Sequence, residues 1–159
     1  MRRWTRVKQW LPAVAWAIVI SWASTDEFSA THTSVVILPV LHWLFPHASA
    51  ETLDRMQFFI RKTAHFTEYF VFSYFLLRGL RGKDRGWHLR WAIWALAIAA
   101  GYSALDEFHQ SFVPSRTGSP WDSLIDTTGA ATGQIVLGLW AWFRARRLIS
   151  SPNGNTPAK

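Results

Sequence analysis

The stretch Met56–Leu77, MQFFIRKTAHFTEYFVFSYFLL, decides how this chain is read. It is apolar apart from Arg61, Lys62, His65, Glu68 and a few small polar groups. A spanning helix needs roughly 20 mainly apolar residues, so the stretch is long enough to cross a bilayer. Ionisable groups at that depth cost roughly 2.5–3.5 kcal/mol each and usually face a bundle interior with a partner. At 100° per residue, Lys62, His65, Glu68 and Tyr69 fall within an arc of ~120°, with Arg61 on its edge. At ~1.5 Å per residue, Glu68 lies about 18 Å along the helix from Met56, near mid-bilayer. The stretch therefore predicts a transmembrane helix with one polar, inward face.

Three further runs extend this reading. Gln9–Thr25 carries no charge, Trp91–Leu105 is uncharged and Ala-rich, and Ser123–Phe143 carries only Asp126. Trp10, Trp22, Trp87, Trp91, Trp121, Trp140 and Trp142 sit near segment ends, where an aromatic belt requires them. The chain has 159 residues, 50% of them hydrophobic, too apolar for disorder and the size of one domain. Its mean hydropathy of +0.05 means that apolar segments alternate with strongly polar ones. Cysteine is absent, which excludes disulfides, thiolate catalysis and cysteine metal sites.

Charge sets the orientation. Arg2, Arg3, Arg6 and Lys8 precede the first span. Arg78, Arg81, Lys83, Arg85 and Arg90 lie between the second and third, and Arg144, Arg146, Arg147 and Lys159 follow the fourth. These are 13 of the 17 basic residues, so that side is cytoplasmic, with both termini on it. The net charge of +7 thus marks topology and anionic-lipid contact, not nucleic acid. A fifth span within Phe28–Ala50, where Pro39 interrupts the apolar run Val35–Phe45, would put the Arg78–Arg90 cluster outside. The segment is read as an interfacial or re-entrant helix on the outer face. The N-terminus imitates a signal peptide but is read as an uncleaved helix. The fold class is all-α and polytopic, with four transmembrane helices. One membrane domain covers residues 1–149, and the polar tail 150–159 is disordered.

The other spans carry polar groups at matching ends. The third ends in Asp106-Glu107-Phe108-His109-Gln110, where Asp106, His109 and Gln110 share a face if the helix continues. Glu107 points away from Asp106, toward a solvated rim. Ser119, Pro120 and Asp122 read as N-cap, N1 and N3 of the fourth helix. On that helix Asp122, Asp126, Gly129 and Gly133 fall within an arc of ~60°. The glycines form a small-xxx-small face, so both carboxylates point into a helix contact. The polar residues of three helices meet at their outer ends, in a small cavity open to the outer face.

Lys62-x-x-His65-Phe66-x-Glu68-Tyr69, Asp106-Glu107-x-His109-Gln110-x-Phe112-x-Pro114-x-Arg116 and Asp122-x-x-x-Asp126-x-x-Gly129-x-x-x-Gly133 closely resemble the VanZ-like family. The resemblance runs from about residue 10 to 145, in the right order on three successive spans. It implies a small multi-helix membrane protein of the bacterial cell envelope, in a family whose founding member is associated with low-level teicoplanin resistance. It supplies no reaction.

The residues themselves leave three chemistries open beside proton or ion transport, for which no intramembrane acid lies on the inner half to complete a relay. In the first, the cavity binds an anionic envelope component, a lipid-linked phosphate or peptide carboxylate, or a glycopeptide. Lys62 and Arg116 are the cationic donors, and Glu68, Asp106 and Asp122 hold them in place. In the second, Ser115-Arg116, Asp122 and Asp126 form a phosphatase-like element acting on a lipid-linked phosphate. Asp122 stands where such an element needs a nucleophilic His, so His65 or His109 would attack instead. In the third, His65-x-x-Glu68 and Asp106-x-x-His109 converge on Zn or Mn, which the adjacent Lys62 and Arg116 oppose. The first is preferred, with membrane lipids as partners, no cofactor and no assigned metal. Its binding set is Lys62, His65, Glu68, Tyr69, Asp106, Glu107, His109, Gln110, Arg116, Asp122 and Asp126.

Overall fold

Ser49 and Gly82 bracket the longest helix. The Ser49 hydroxyl accepts from the Thr52 N–H at 3.3 Å, satisfying one of the donors that a helix start leaves free. Gly82 takes a φ of 64°, a conformation that residues with a Cβ resist. Between them Ala50–Arg81 runs unbroken for 32 residues. The computed structural model describes residues 2–84, 86–114, 116 and 118–149. In chain order the helices are Arg2–Ala23 (α1), Ala30–Leu44 (α2), Ala50–Arg81 (α3), Leu89–Gln110 (α4) and Pro120–Ile149 (α5). A single 3-10 turn, Asp26–Phe28, lies between α1 and α2. No strand occurs among the described residues, so the protein is all-α, as its sequence predicts. The tail 150–159 and Ser115 lie outside the described residues.

Three of the four apolar runs lie within long helices that overrun them, while the first, Gln9–Thr25, outlasts α1 by two residues. α3 begins two turns before Met56 because Ser49 caps it and Glu51 favours the positive end of its dipole. The segment expected to be interfacial or re-entrant forms α2, 15 residues capped by Ser29, whose hydroxyl accepts from the His32 N–H. No helix among the described residues is long and apolar enough to cross a membrane. Length is not what fails, since α1 and α4 have 22 residues each and α5 has 30. What lowers the average is charge, in the middle of α3 at Arg61, Lys62, His65 and Glu68 and toward the ends of α1, α4 and α5, together with their Gly, Ser, Thr and Trp content.

α3 packs against α1, α2, α4 and α5. Small residues make the close approaches. A Cβ on Gly129 would lie 2.2 Å from the Phe66 carbonyl oxygen, and one on Gly133 would lie 2.4 Å from Ser73 Oγ. The glycine face of α5 thus rests on the backbone of α3, as its spacing predicts. At the other end of the bundle Gly79 accommodates the Trp10 ring of α1. Ala95, Ala99 and Ala130 are fully enclosed beside Tyr69, Phe72 and Leu76.

Candidate functional site

Lys62, two turns above Tyr69 on α3, forms an ion pair with Asp122 in the first turn of α5. Twelve residues of α3 precede Lys62, so at ~1.5 Å per residue about 18 Å of the helix overhangs the start of α5. α2 packs against α3. The Lys62 ammonium also lies 5.0 Å from the Phe58 ring centroid, and its side chain keeps 24% of its exposure.

One turn deeper, His65 Nδ1 donates to Asp126 Oδ1 at 3.2 Å. Asp126 is fully buried. Its other oxygen accepts from the Ser103 hydroxyl at 2.7 Å, and Ser123 Oγ lies 3.0 Å from Ser103 Oγ. Ser103 attends the carboxylate, Ser123 attends Ser103, and neither is bonded to the imidazole. A serine nucleophile needs the reverse order, with its hydroxyl on the histidine. Glu107, expected at a solvated rim, is instead only 6% exposed. Its Oε2 accepts from the Ser119 N–H at 2.8 Å, at the entrance to α5, while Oε1 is enclosed without a partner. His65, Glu107 and Asp126 each present one ligand-capable atom, all within 4.8 Å of one another. Glu68 stands close enough to His65, Asp126, Asp106 and Arg116 to couple electrostatically with each. Tyr69 is buried below them, its ring edge-on to Phe72 at 6.0 Å.

A second network adjoins the first. Asp106 Oδ2 accepts from Ser24 Oγ at 2.5 Å and from Gln110 Nε2 at 2.8 Å. Arg116 Nη1 donates to Gln110 Oε1 at 3.4 Å, and Nη2 donates to the carbonyls of Ala23 and Thr25 at 2.5 and 3.0 Å. These carbonyls lie at and beyond the C-terminus of α1, where the last turn of a helix leaves acceptors unpaired. Burial and the nearby Arg61 charge push the Arg116 guanidinium below its ordinary value, and Asp106, Glu107 and Glu68 oppose that shift. An arginine so placed stays charged and acts as a cap.

Ten of the eleven expected residues gather at this end of the bundle. His109 does not. It is exposed, while Gln110 and Glu107 are buried, so the expected face of Asp106, His109 and Gln110 is rotated toward Glu107. The metal set built on His109 and Glu68 is therefore not assembled. Nor is Arg116 a partner of Asp122, which Lys62 holds. Sequence reasoning missed Ser24, Ser103 and Ser123. A signal for Ser103 was present: Ala92, Ala95, Ala99 and Ser103 recur at intervals of three and four, and the same stripe continues to Glu107 and Gln110. The sequence model of the VanZ/LLP1 family matches residues 9–142, most of the chain. No curated protein and no solved structure matches it.

Proposed function

The chain belongs to the VanZ/LLP1 family, and from that premise we propose that it is a multi-pass protein of the bacterial inner membrane whose polar chamber faces outward and engages an anionic envelope component. The observation that carries the membrane reading is an inverted distribution of polarity. Large apolar side chains are exposed on every long helix, among them Ile18, Phe59, Trp94 and Leu139. Glu107, Arg116, Asp122 and Asp126 are buried. A protein surrounded by water favours the opposite arrangement, and a bilayer favours this one. Hydropathy averaged along α3 counts Lys62, His65 and Glu68 as though lipid met them, whereas its neighbours do.

The basic clusters stand at the start of α1, the end of α3, the start of α4 and the end of α5, which supports a cytoplasmic end opposite the chamber. There Arg146 lies 3.8 Å from the Trp142 ring centroid and Arg90 lies 4.5 Å from that of Trp91, pairings suited to an interface. Lys62 is the chamber's accessible cation, with half-buried Arg61 beside it. A lipid-linked phosphate or peptide carboxylate would exchange with Asp122 for the ammonium. The family's association with teicoplanin resistance agrees with a ligand from the cell envelope.

The test is native mass spectrometry of the protein extracted with its membrane lipids. Lys62→Gln removes one charge-assisted contact, worth about 1.5–3 kcal/mol. Retention of anionic lipid at the chamber is expected to fall about tenfold or more. Equal retention by a folded Lys62→Gln protein removes the anion-binding role.

A further inference from the structure

We propose that His65, Glu107 and Asp126 form a binding site for a first-row divalent metal ion. The three residues come from α3, α4 and α5, so their approach is a product of tertiary packing and not of local acidic sequence. Their candidate ligand atoms lie within 4.8 Å of one another. The His65 Nδ1 to Asp126 Oδ1 separation is 3.2 Å. For metal bonds of about 2.1 Å, neighbouring ligands stand roughly 3.0 Å apart in an octahedron and roughly 3.4 Å apart in a tetrahedron. The pair already has the spacing of two ligands on one ion. A proton now bridges it, and a metal ion exchanges for that proton.

Glu107 supplies the independent observation. It is only 6% exposed, yet Oε1 has no hydrogen-bond partner. A buried carboxylate oxygen left unpaired carries its full desolvation penalty. Oε2 is anchored by the Ser119 N–H, so the group stays in place while Oε1 remains available to close on a cation. Asp126 is equally prepared: Ser103 holds Oδ2 and leaves Oδ1 toward His65, the outer-shell support that metal-ligating carboxylates use.

Charge does not oppose the ion. The ammonium of Lys62 is paired with Asp122, and the Arg116 guanidinium is directed at the carbonyls of Ala23 and Thr25. Two carboxylates and an imidazole, once they have given up their protons to the metal, complement a dication. One nitrogen and two oxygens select Zn²⁺ or Mn²⁺ over Mg²⁺ and Ca²⁺, which prefer oxygen alone. The site rests on these three helices, independent of what the chamber binds.

The experiment is titration of the EDTA-treated, detergent-purified full chain with Zn²⁺ and Mn²⁺ by calorimetry, with metal content and thermal unfolding measured on the same samples. One equivalent is expected to bind and to raise the unfolding midpoint. Glu107→Gln preserves shape and an acceptor for the Ser119 N–H. It is expected to unfold like the metal-free wild type, to weaken binding at least tenfold and to abolish the metal-induced rise. Surface histidines such as His32, His42 and His47 would bind metal equally well in Glu107→Gln. Equal binding by the two proteins, or no stoichiometric binding by the wild type, overturns the site.

Discussion

Arg116 contributes two hydrogen bonds to carbonyls at and just beyond the end of α1 and one to Gln110, tying the α4–α5 loop to α1. Its sequence context, a basic residue after Pro114 among several acids, suggested a ligand cation or a counter-ion for Asp122. Neither reading contained Ala23 or Thr25, because backbone acceptors leave no mark on the sequence. Arg116→Ala is expected to cost about 2–3 kcal/mol, since hydrogen bonds to charged groups are worth about 1.5–3 kcal/mol and two partly buried carbonyls lose their donor. Arg116→Lys keeps the charge but cannot reach both carbonyls and Gln110 with a planar fork, so it recovers less than half of the loss. Unfolding midpoints in detergent check both. A Lys variant as stable as wild type would contradict the capping role. Asp122 and Asp126, by contrast, were legible: helical spacing aligned them with Gly129 and Gly133, and all four do face α3. Glu107 and His109 were interchanged because the face was centred on Asp106, without the Ala92–Ser103 stripe to fix its direction.

At the scale of elements, the contact between α3 and α5 sets the site. Lys62 meets Asp122 and His65 meets Asp126 only because Gly129 lets the two backbones approach. A methyl group at Gly129 would meet the Phe66 carbonyl at 2.2 Å, and backbone does not yield cheaply. Gly129→Ala is therefore expected to destabilise by about 1–3 kcal/mol, the usual cost of overpacking, despite alanine's better helix propensity. Gly101 provides the comparison, because nothing lies within 4 Å of an added Cβ there. Gly101→Ala is expected to be neutral or to stabilise by up to about 1 kcal/mol. Thermal unfolding of the two variants separates packing from propensity, and similar destabilisation of both would contradict the close approach. The long helices were readable from apolar runs, but their ends were not. α3 gains two turns from Ser49, whose cap precedes a polar first turn that a hydropathy reading passes over. α2 was readable as a helix too short to span, and at 15 residues it measures about 22 Å.

Across the whole molecule, charge and polarity are distributed along one axis. Arg78, Arg81, Arg90, Arg144 and Arg146 mark one end, while Asp106, Glu107, Asp122 and Asp126 lie toward the other. The apolar girdle between them is exposed. This polarity was present in the sequence, because the positive-inside pattern is a matter of counting. The convergence of α1 on the polar cluster was not, since it depends on Ser24 and on the carbonyls of Ala23 and Thr25. The central claim is an outward chamber in a membrane-embedded bundle, and the absence of cysteine makes it directly measurable. Single cysteines replace Phe112, exposed in the loop after α4, and Lys83, exposed in the loop after α3. A membrane-impermeant maleimide is then applied to intact spheroplasts and again after permeabilisation. The account predicts labelling of Phe112→Cys in intact spheroplasts and of Lys83→Cys only after permeabilisation. Reversed labelling, or equal labelling of both before permeabilisation, would contradict it.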